Sequence, residues 1–313
     1  MTRRNFLLFL PVNFFIFYLL SFIFYVPVAA LDFAGMALSP PTFELSANPG
    51  DTLENTIKVE NLTAAPLKLI VDRRNFTAIG EEGSVGLTEE QTSFSLASWI
   101  AVSPSEFEIP AKAIKIITFK TFVPANAEPG GHFGSIVFRT GSTTPTQSGA
   151  ALVQELGALV LLRVAGKTTE AASIESFSPK KLFWEYGPVE FDLRIKNGGN
   201  VHVKPQGTIT ITNFLGKKIG SGVVELEPKN VLPGAVRKNT AAWNKKWLFG
   251  KYTAVVSLVY GTKGEILTAS TTFVGFPYKI GGVILLGLLI VGIFLYRGRK
   301  RIKLALRILF SGK

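Results

Sequence analysis

The sequence predicts an all-β protein: two antiparallel β-sandwiches held between two apolar terminal segments. Three observations carry that reading. An apolar run stands at each end, apolar and polar residues alternate with period two between the ends, and turn residues punctuate the alternation at short intervals. No stretch of the central region shows a long helical stripe, so strands with one face on a core and one in water are expected.

At the N-terminus, Arg3 and Arg4 precede an apolar stretch from Phe6 to Val28, which closes on the small residues Val28, Ala29 and Ala30. That order is the layout of an export signal. The stretch is longer than most signal cores and is interrupted by Pro11 and Asn13. Residues 1–30 therefore read either as a signal removed after Ala30 or as an uncleaved anchor. Both put residues 31–279 outside, because Arg3 and Arg4 hold the N-terminus in the cytoplasm.

The first module is expected over residues 38–165. Ile57, Val59 and Asn61 alternate with Lys58 and Glu60, and Leu67, Leu69 and Val71 alternate with Lys68 and Asp72. Asn48-Pro-Gly-Asp and Pro129-Gly-Gly supply turns. Gly80 to Gln91 is too polar and glycine-rich for a core strand and reads as a long exposed excursion, as does Gly141 to Gly149. Such loops often carry binding, and a mobile connection without a partner is the equal alternative. Gly166 to Ala172 is polar and small, which fits a linker.

The second module is expected over residues 172–277. Val189, Phe191, Leu193 and Ile195 point one way, and Ala254, Val256, Leu258 and Tyr260 repeat the pattern. Asn197-Gly-Gly-Asn, Leu215-Gly-Lys and Gly261-Thr-Lys-Gly separate the strands at spacings typical of immunoglobulin-like sandwiches. Net charge divides between the modules, at −4 over residues 38–165 and +7 over residues 172–277.

A span of uncharged residues, Ile280 to Tyr296, then precedes Arg297, Arg299, Lys300 and Arg301. An apolar run near this length crosses a hydrocarbon core, and the basic block after it stays in the cytoplasm. Residues 280–296 are thus expected to form a transmembrane helix and 297–313 a cytoplasmic tail. Tyr278, Lys279 and Tyr296 sit where aromatic belts and extended lysines meet the headgroups. The span holds no Asp, Glu, His, Lys or Arg, which argues against an ion or proton pathway.

Composition narrows the chemistry. The net charge is +12, yet all 22 acidic residues share the region Asp32 to Glu265 with 24 of the 34 basic ones, leaving an excess there of only +2. High basicity reports membrane topology, and nucleic acid is not expected as a partner. Zero cysteines exclude disulfides, thiolate metal sites and cysteine nucleophiles. His132 and His202 are the only histidines, too few for a triad or an imidazole zinc site drawn from one module. Glu81, Glu82, Glu89 and Glu90 offer paired carboxylates of the kind that cleave glycans, but in a polar loop with nothing to raise one pKa. No enzyme activity, metal or cofactor is expected.

Ser98-Trp-Ile-Ala-Val-Ser-Pro-Ser-Glu-Phe-Glu-Ile-Pro, with Val123-Pro-Ala-Asn-Ala-Glu-Pro-Gly-Gly-His-Phe-Gly-Ser-Ile-Val-Phe, resembles the peptidoglycan-binding domain of bacterial WxL-interacting surface proteins. Asn197-Gly-Gly-Asn-Val-His-Val-Lys-Pro, Val231-Leu-Pro-Gly and Gly250-Lys-Tyr-Thr-Ala resemble, more loosely, that family's second extracellular domain. The resemblance implies a membrane-anchored cell-surface scaffold that binds peptidoglycan or an anionic wall polymer through the first module and a surface protein through the second.

The binding candidates are Trp99, His132 and Phe133 in the first module and Trp243, Lys245, Lys246 and Trp247 in the second. Core packing is the simpler reading of Trp99, and a backbone-bonded structural role that of His132. The alternative function is an accessory subunit or assembly factor of an envelope membrane complex.

Overall fold

The computed structural model describes residues 35–140 and 153–311; the N-terminal segment 1–30 and the Gly141–Gly149 excursion lie outside the described residues. The first sandwich opens with β1 (Met36–Ser39), β2 (Thr42–Ala47), β3 (Thr52–Asn61), β4 (Leu67–Ile79) and β5 (Ser84–Thr88). It continues with β6 (Ile100–Ser103), β7 (Glu106–Ile109), β8 (Ile114–Phe122), β9 (Gly130–Thr140) and β10 (Glu155–Val164). One sheet runs β1-β3-β8-β6, and the facing one runs β2-β10-β9-β4-β5 with β7 added to β4. β2 lies parallel to β10, and the other pairs named here are antiparallel.

Alternation explains this core. Ile57 and Val59 of β3, Ile117 and Phe119 of β8, Ile136 and Phe138 of β9 and Val160 and Leu162 of β10 are all buried. Phe43 meets Phe119 edge to face at 5.1 Å between ring centroids. Each such side chain contributes about 1.5–3 kcal/mol by leaving water.

The second sandwich holds β11 (Ala172–Pro179), β12 (Phe183–Trp184), β13 (Val189–Asn197) and β14 (Gln206–Asn213). β15 (Lys218–Leu226), β16 (Val236–Trp243), β17 (Gly250–Tyr260) and β18 (Glu265–Gly275) complete it. Sheet β11-β13-β16 faces sheet β12-β18-β17-β14-β15. Val189, Phe191, Leu193 and Ile195 are buried against Ile209, Ile211, Val256 and Leu258, as the period of two requires.

Each sandwich has a buried asparagine corner of the same kind. Asn61, at the end of β3, donates from Nδ2 to the carbonyls of Ala65 (2.8 Å), Ile109 (3.1 Å) and Pro110 (3.0 Å), and its Oδ1 accepts from the Thr63 N–H at 2.9 Å. Asn197, at the end of β13, donates to Val201 and Val231 at 2.8 Å each, and its Oδ1 accepts from the Gly199 N–H at 2.9 Å. Both asparagines are wholly buried. Asn75 is buried too: its Nδ2 donates to the Glu90 carbonyl at 3.0 Å and its Oδ1 accepts from the Leu96 N–H at 3.0 Å.

The segment Gly80 to Gln91 has no fully buried residue, in keeping with an exposed excursion, but part of it is a strand. Ser84–Thr88 pairs with Asn75–Ile79 as the hairpin β4–β5, and Val85 packs on the buried Phe76, Phe133 and Leu161. Its glycines mask a strand because the apolar residues there are few, Val85 and Leu87 alone.

After β18 the chain enters α1 (Tyr278–Ser311). The stretch Tyr278–Arg299 has mean hydropathy 2.3 and no part buried against the protein. At 1.5 Å per residue it is about 33 Å long, enough to cross a hydrocarbon core of about 30 Å.

Candidate functional site

The sandwiches meet at a junction built from residues the sequence scattered. Asn200, in the loop after β13, accepts through its carbonyl from the Gly131 N–H at 2.8 Å and donates from Nδ2 to the Pro129 carbonyl at 3.1 Å. Its Oδ1 accepts from the Thr169 N–H at 2.8 Å, which fixes the linker as well. Gly130 has φ +148°, and a Cβ there would stand 3.1 Å from the Asn200 carbonyl oxygen. A Cβ on Gly131 would meet the Phe133 ring at 2.6 Å. The Pro-Gly-Gly turn is thus a seat for the second sandwich.

Carboxylates clasp the junction on both flanks. Glu81, at the tip of the β4–β5 hairpin, receives a two-pronged hydrogen bond from the Arg194 guanidinium, one prong at 2.7 Å. The Glu81 carbonyl accepts from the Lys238 N–H at 2.8 Å, and Lys238 lies 3.7 Å from Glu82. On the other flank Glu44 accepts from Lys204 at 2.8 Å and from Asn230 at 2.7 Å. Glu170 takes the Arg163 guanidinium and both the N–H and hydroxyl of Thr262, each at 2.8 Å.

These bonds set the ionisation of the clasp. The hydrogen bond from Arg194 holds the Glu81 carboxyl below its ordinary value, and that from Lys204 does the same for Glu44. Burial pushes Glu170 up, but the bonds from Thr262 and Arg163 outweigh it and the net shift is downward. Burial pushes the His202 imidazole down. His202 stands 6.0 Å from the Phe133 ring, so two histidine-bearing segments expected in separate modules adjoin one another.

Between the clasps a cleft of about 370 Å³ opens on the outer face of the β2-β10-β9-β4-β5 sheet. Phe76, Leu159, Leu161 and Val85 form its apolar floor, and Leu232 of the second sandwich closes one side. Glu44, Lys204, Lys229, Asn230 and Arg237 form its rim. Asn230 Oδ1 and Arg237 Nε are buried without a hydrogen-bond partner among the described residues. Buried polar atoms in that condition cost about 1–3 kcal/mol each.

The expected binding residues fall elsewhere. Trp99 is half-buried and packs 4.4 Å from the ring of His132. His132 is buried, with Nδ1 facing the Ser95 carbonyl at 3.3 Å and Nε2 the Glu128 carbonyl at 3.0 Å. Both line a shallow polar groove of about 280 Å³. Phe133 is buried in the junction cluster with Phe76 and Leu161.

Trp243 is buried in the second core against Tyr252 and Phe273, and Lys245 lies 5.8 Å from its ring. Trp247 is exposed, edge-on to Tyr186 at 5.5 Å, with Lys246 at 6.0 Å. Among the membrane-interface residues, Tyr278 and Lys279 begin α1, and Arg299 lies 4.5 Å over the Tyr296 ring. Arg297, Lys300 and Arg301 continue the same helix. Among the described residues no group of three or more His, Asp or Glu is placed to hold a metal.

The cleft residues escaped the sequence reading because they come from five distant segments. Only the outward side chains of β10, Leu159 and Leu161, gave a signal: a strand apolar on both faces.

No protein-family model matches the chain, and no curated protein matches it. Solved structures to which it is similar include a class 5 fimbriae chaperone, CfaA, at 12% identity and TM-score 0.40, covering 76% of this chain and 99% of that one. A chaperone–tip adhesin complex of CFA/I fimbriae biogenesis gives 14% identity and TM-score 0.39 over 77% and 99%. The Escherichia coli chaperone DraB gives 12% and 0.37 over 75% and 97%.

Membership of the WxL-interacting family has no support from any family model or curated protein, and the wall-polymer binding it implied is withdrawn. The geometry gives the reason. Pro129-Gly130-Gly131, which carried the resemblance, seats Asn200, and His132 and Phe133 beside it are buried in packing rather than presented to a glycan.

Proposed function

We propose that this chain is a non-enzymatic, membrane-anchored accessory or assembly protein of the cell envelope, which receives a segment of a protein partner in the cleft between its two extracytoplasmic sandwiches. The cleft itself carries the reading: an apolar floor of Phe76, Leu159 and Leu161 beneath a polar rim of Glu44, Lys204, Lys229, Asn230 and Arg237. An apolar floor takes side chains, and the polar and charged groups of the rim take backbone groups, which is what an extended or turning polypeptide offers. A volume near 370 Å³ suits a few side chains rather than a folded domain.

The carboxylates once open to a glycan-cleaving role are engaged instead. Glu81 is held by Arg194 and Glu82 lies 3.7 Å from Lys238, so both belong to the contact between the sandwiches. The apolar stretch Tyr278–Arg299, long enough to span a bilayer, supports attachment, and the basic residues after it support a cytoplasmic C-terminus.

The test is photo-crosslinking in intact cells, with a benzophenone side chain at Leu159 or Val85 and a control at Thr210 on the outer face of the second sandwich. A protein adduct from the two cleft positions and not from the control is expected. No adduct, or the same adduct from all three, overturns the reading.

A further inference from the structure

The end of the second sandwich away from the junction carries an apolar crown. Leu182 is 74% exposed, Phe214 70%, Leu215 65% and Phe249 58%, with Phe183 and Trp247 also in solvent. They come from three separate turns. Register places them together: Phe183 pairs with Val274, Phe249 precedes the pair Gly250–Gly275, and Phe214 follows the pair Asn213–Tyr252. The same turns carry Lys181, Lys217, Lys218, Lys245, Lys246 and Lys251. Against them stands Glu185, whose carboxylate is taken by Lys279 at 3.0 Å.

The helix leaves from the middle of this crown on a very short tether. Only Phe276 and Pro277 separate β18 from α1, a reach of about 7 Å at most. Those two residues are themselves fixed, since the Phe276 N–H donates to the Trp184 carbonyl at 2.9 Å and the Gly281 N–H to the Pro277 carbonyl at 2.9 Å. Tyr278 lies 6.0 Å from Phe183, ring to ring. With α1 in a bilayer, the turns bearing Leu182, Phe214, Leu215 and Phe249 are held at the headgroup layer with no stalk to lift them.

We propose that this crown is a membrane-docking surface: the exposed Leu and Phe side chains enter the interface between headgroups and acyl chains, and the surrounding lysines bind anionic headgroups. The occupant is lipid rather than a protein because the tether forces the surface onto the bilayer, and because bulky apolar tips within a lysine ring match an anionic membrane surface. The second sandwich is then a fixed pedestal that aims the cleft at a constant height. The proposal rests on reading α1 as a membrane span.

The chain has no cysteine, so single spin labels can be placed at will. The full chain is reconstituted in nanodiscs of phosphatidylcholine with 30% phosphatidylglycerol, with single labels at Leu215→Cys, Phe249→Cys, Leu289→Cys in the helix and Glu89→Cys in the first sandwich. Accessibility to oxygen and to a nickel chelate is compared. Positions 215, 249 and 289 should favour oxygen, and 89 the chelate.

If 289 favours oxygen while 215 and 249 behave like 89, the docking surface is overturned and the span stands. If 289 also behaves like 89, both fall. A second arm replaces Lys217, Lys218, Lys245 and Lys246 by Gln, which should at least halve the oxygen preference at 215 while leaving 289 unchanged. An unchanged value at 215 removes the headgroup role of the lysines.

Discussion

Glu81 and Arg194 stand 113 positions apart in the chain and form a two-pronged ion pair across the junction of the two sandwiches. The pair turns the β4–β5 hairpin into an arm that grips the second sandwich. Arg194 is also 3.3 Å from Glu175, so the guanidinium is shared between the arm and its own sheet. Because Glu81 and Arg194 remain partly in water, the pair fixes orientation more than it adds stability. Glu81→Gln should leave the melting temperature within about a degree or two. Hydrogen exchange at the Ser84–Thr88 amides should quicken several-fold while that of Ile57 and Val59 stays unchanged, as mass spectrometry of the full chain would record.

Acid should open the junction in two stages. Glu81, Glu44 and Glu170 have folded pKa values below their ordinary 4.5, so the fold favours their ionised forms. Their contribution is complete above about pH 4.5 and is lost as pH falls through the lower folded values. His202 is depressed below its ordinary 6.5 by burial, so the unfolded chain takes that proton first and stability also declines as pH drops below 6.5. Thermal melts of the full chain should be flat above pH 7, slope gently below 6.5 and steepen below 4.5. His202→Gln should abolish the upper stage alone.

The matched corners make a third expectation. Removing Asn61 or Asn197 strands two or three buried carbonyls and an N–H, at about 1–3 kcal/mol for each group left unpaired and not reached by water. Asn61→Ala and Asn197→Ala should each cost about 2–4 kcal/mol in denaturant unfolding. Because the two sites lie in different cores, the double variant should lose close to the sum. A deficit confined to one of the two would mean that the corners are alike in geometry only.

Much of this architecture was legible locally. The alternation from Val189 to Ile195 is a property of neighbours in sequence, and burial follows it residue by residue. Trp243 was readable by the same logic, since it pairs with the inward Val189. The cleft and its clasps were not legible. Asn200 reaches Pro129 across 71 positions, and Lys204 reaches Glu44 across 160. No period or spacing encodes such pairs, because each partner looks like an ordinary solvated polar residue until the second sandwich folds against the first. The same gap misled the reading of Pro129-Gly130-Gly131, whose glycines answer to a neighbour far along the chain.

That turn supplies the most discriminating substitution. A Cβ at Gly131 would press on the far edge of the Phe133 ring at 2.6 Å and lie 3.3 Å from the Asn200 carbonyl oxygen. A ring edge can usually swing away, but Phe133 is 3% exposed and lies 5.9 Å from Phe76, so its retreat must disturb the junction cluster. Gly131→Ala should therefore cost about 1–3 kcal/mol, the range for overpacking a filled site. Phe133→Leu alone should also destabilise, by loss of packing. Combined, the two should cost less than their sum, because the smaller side chain vacates the space that the new methyl needs. A denaturant-unfolding cycle on the full chain measures the coupling. Strict additivity would mean that the methyl acts through the Asn200 carbonyl and not through the ring.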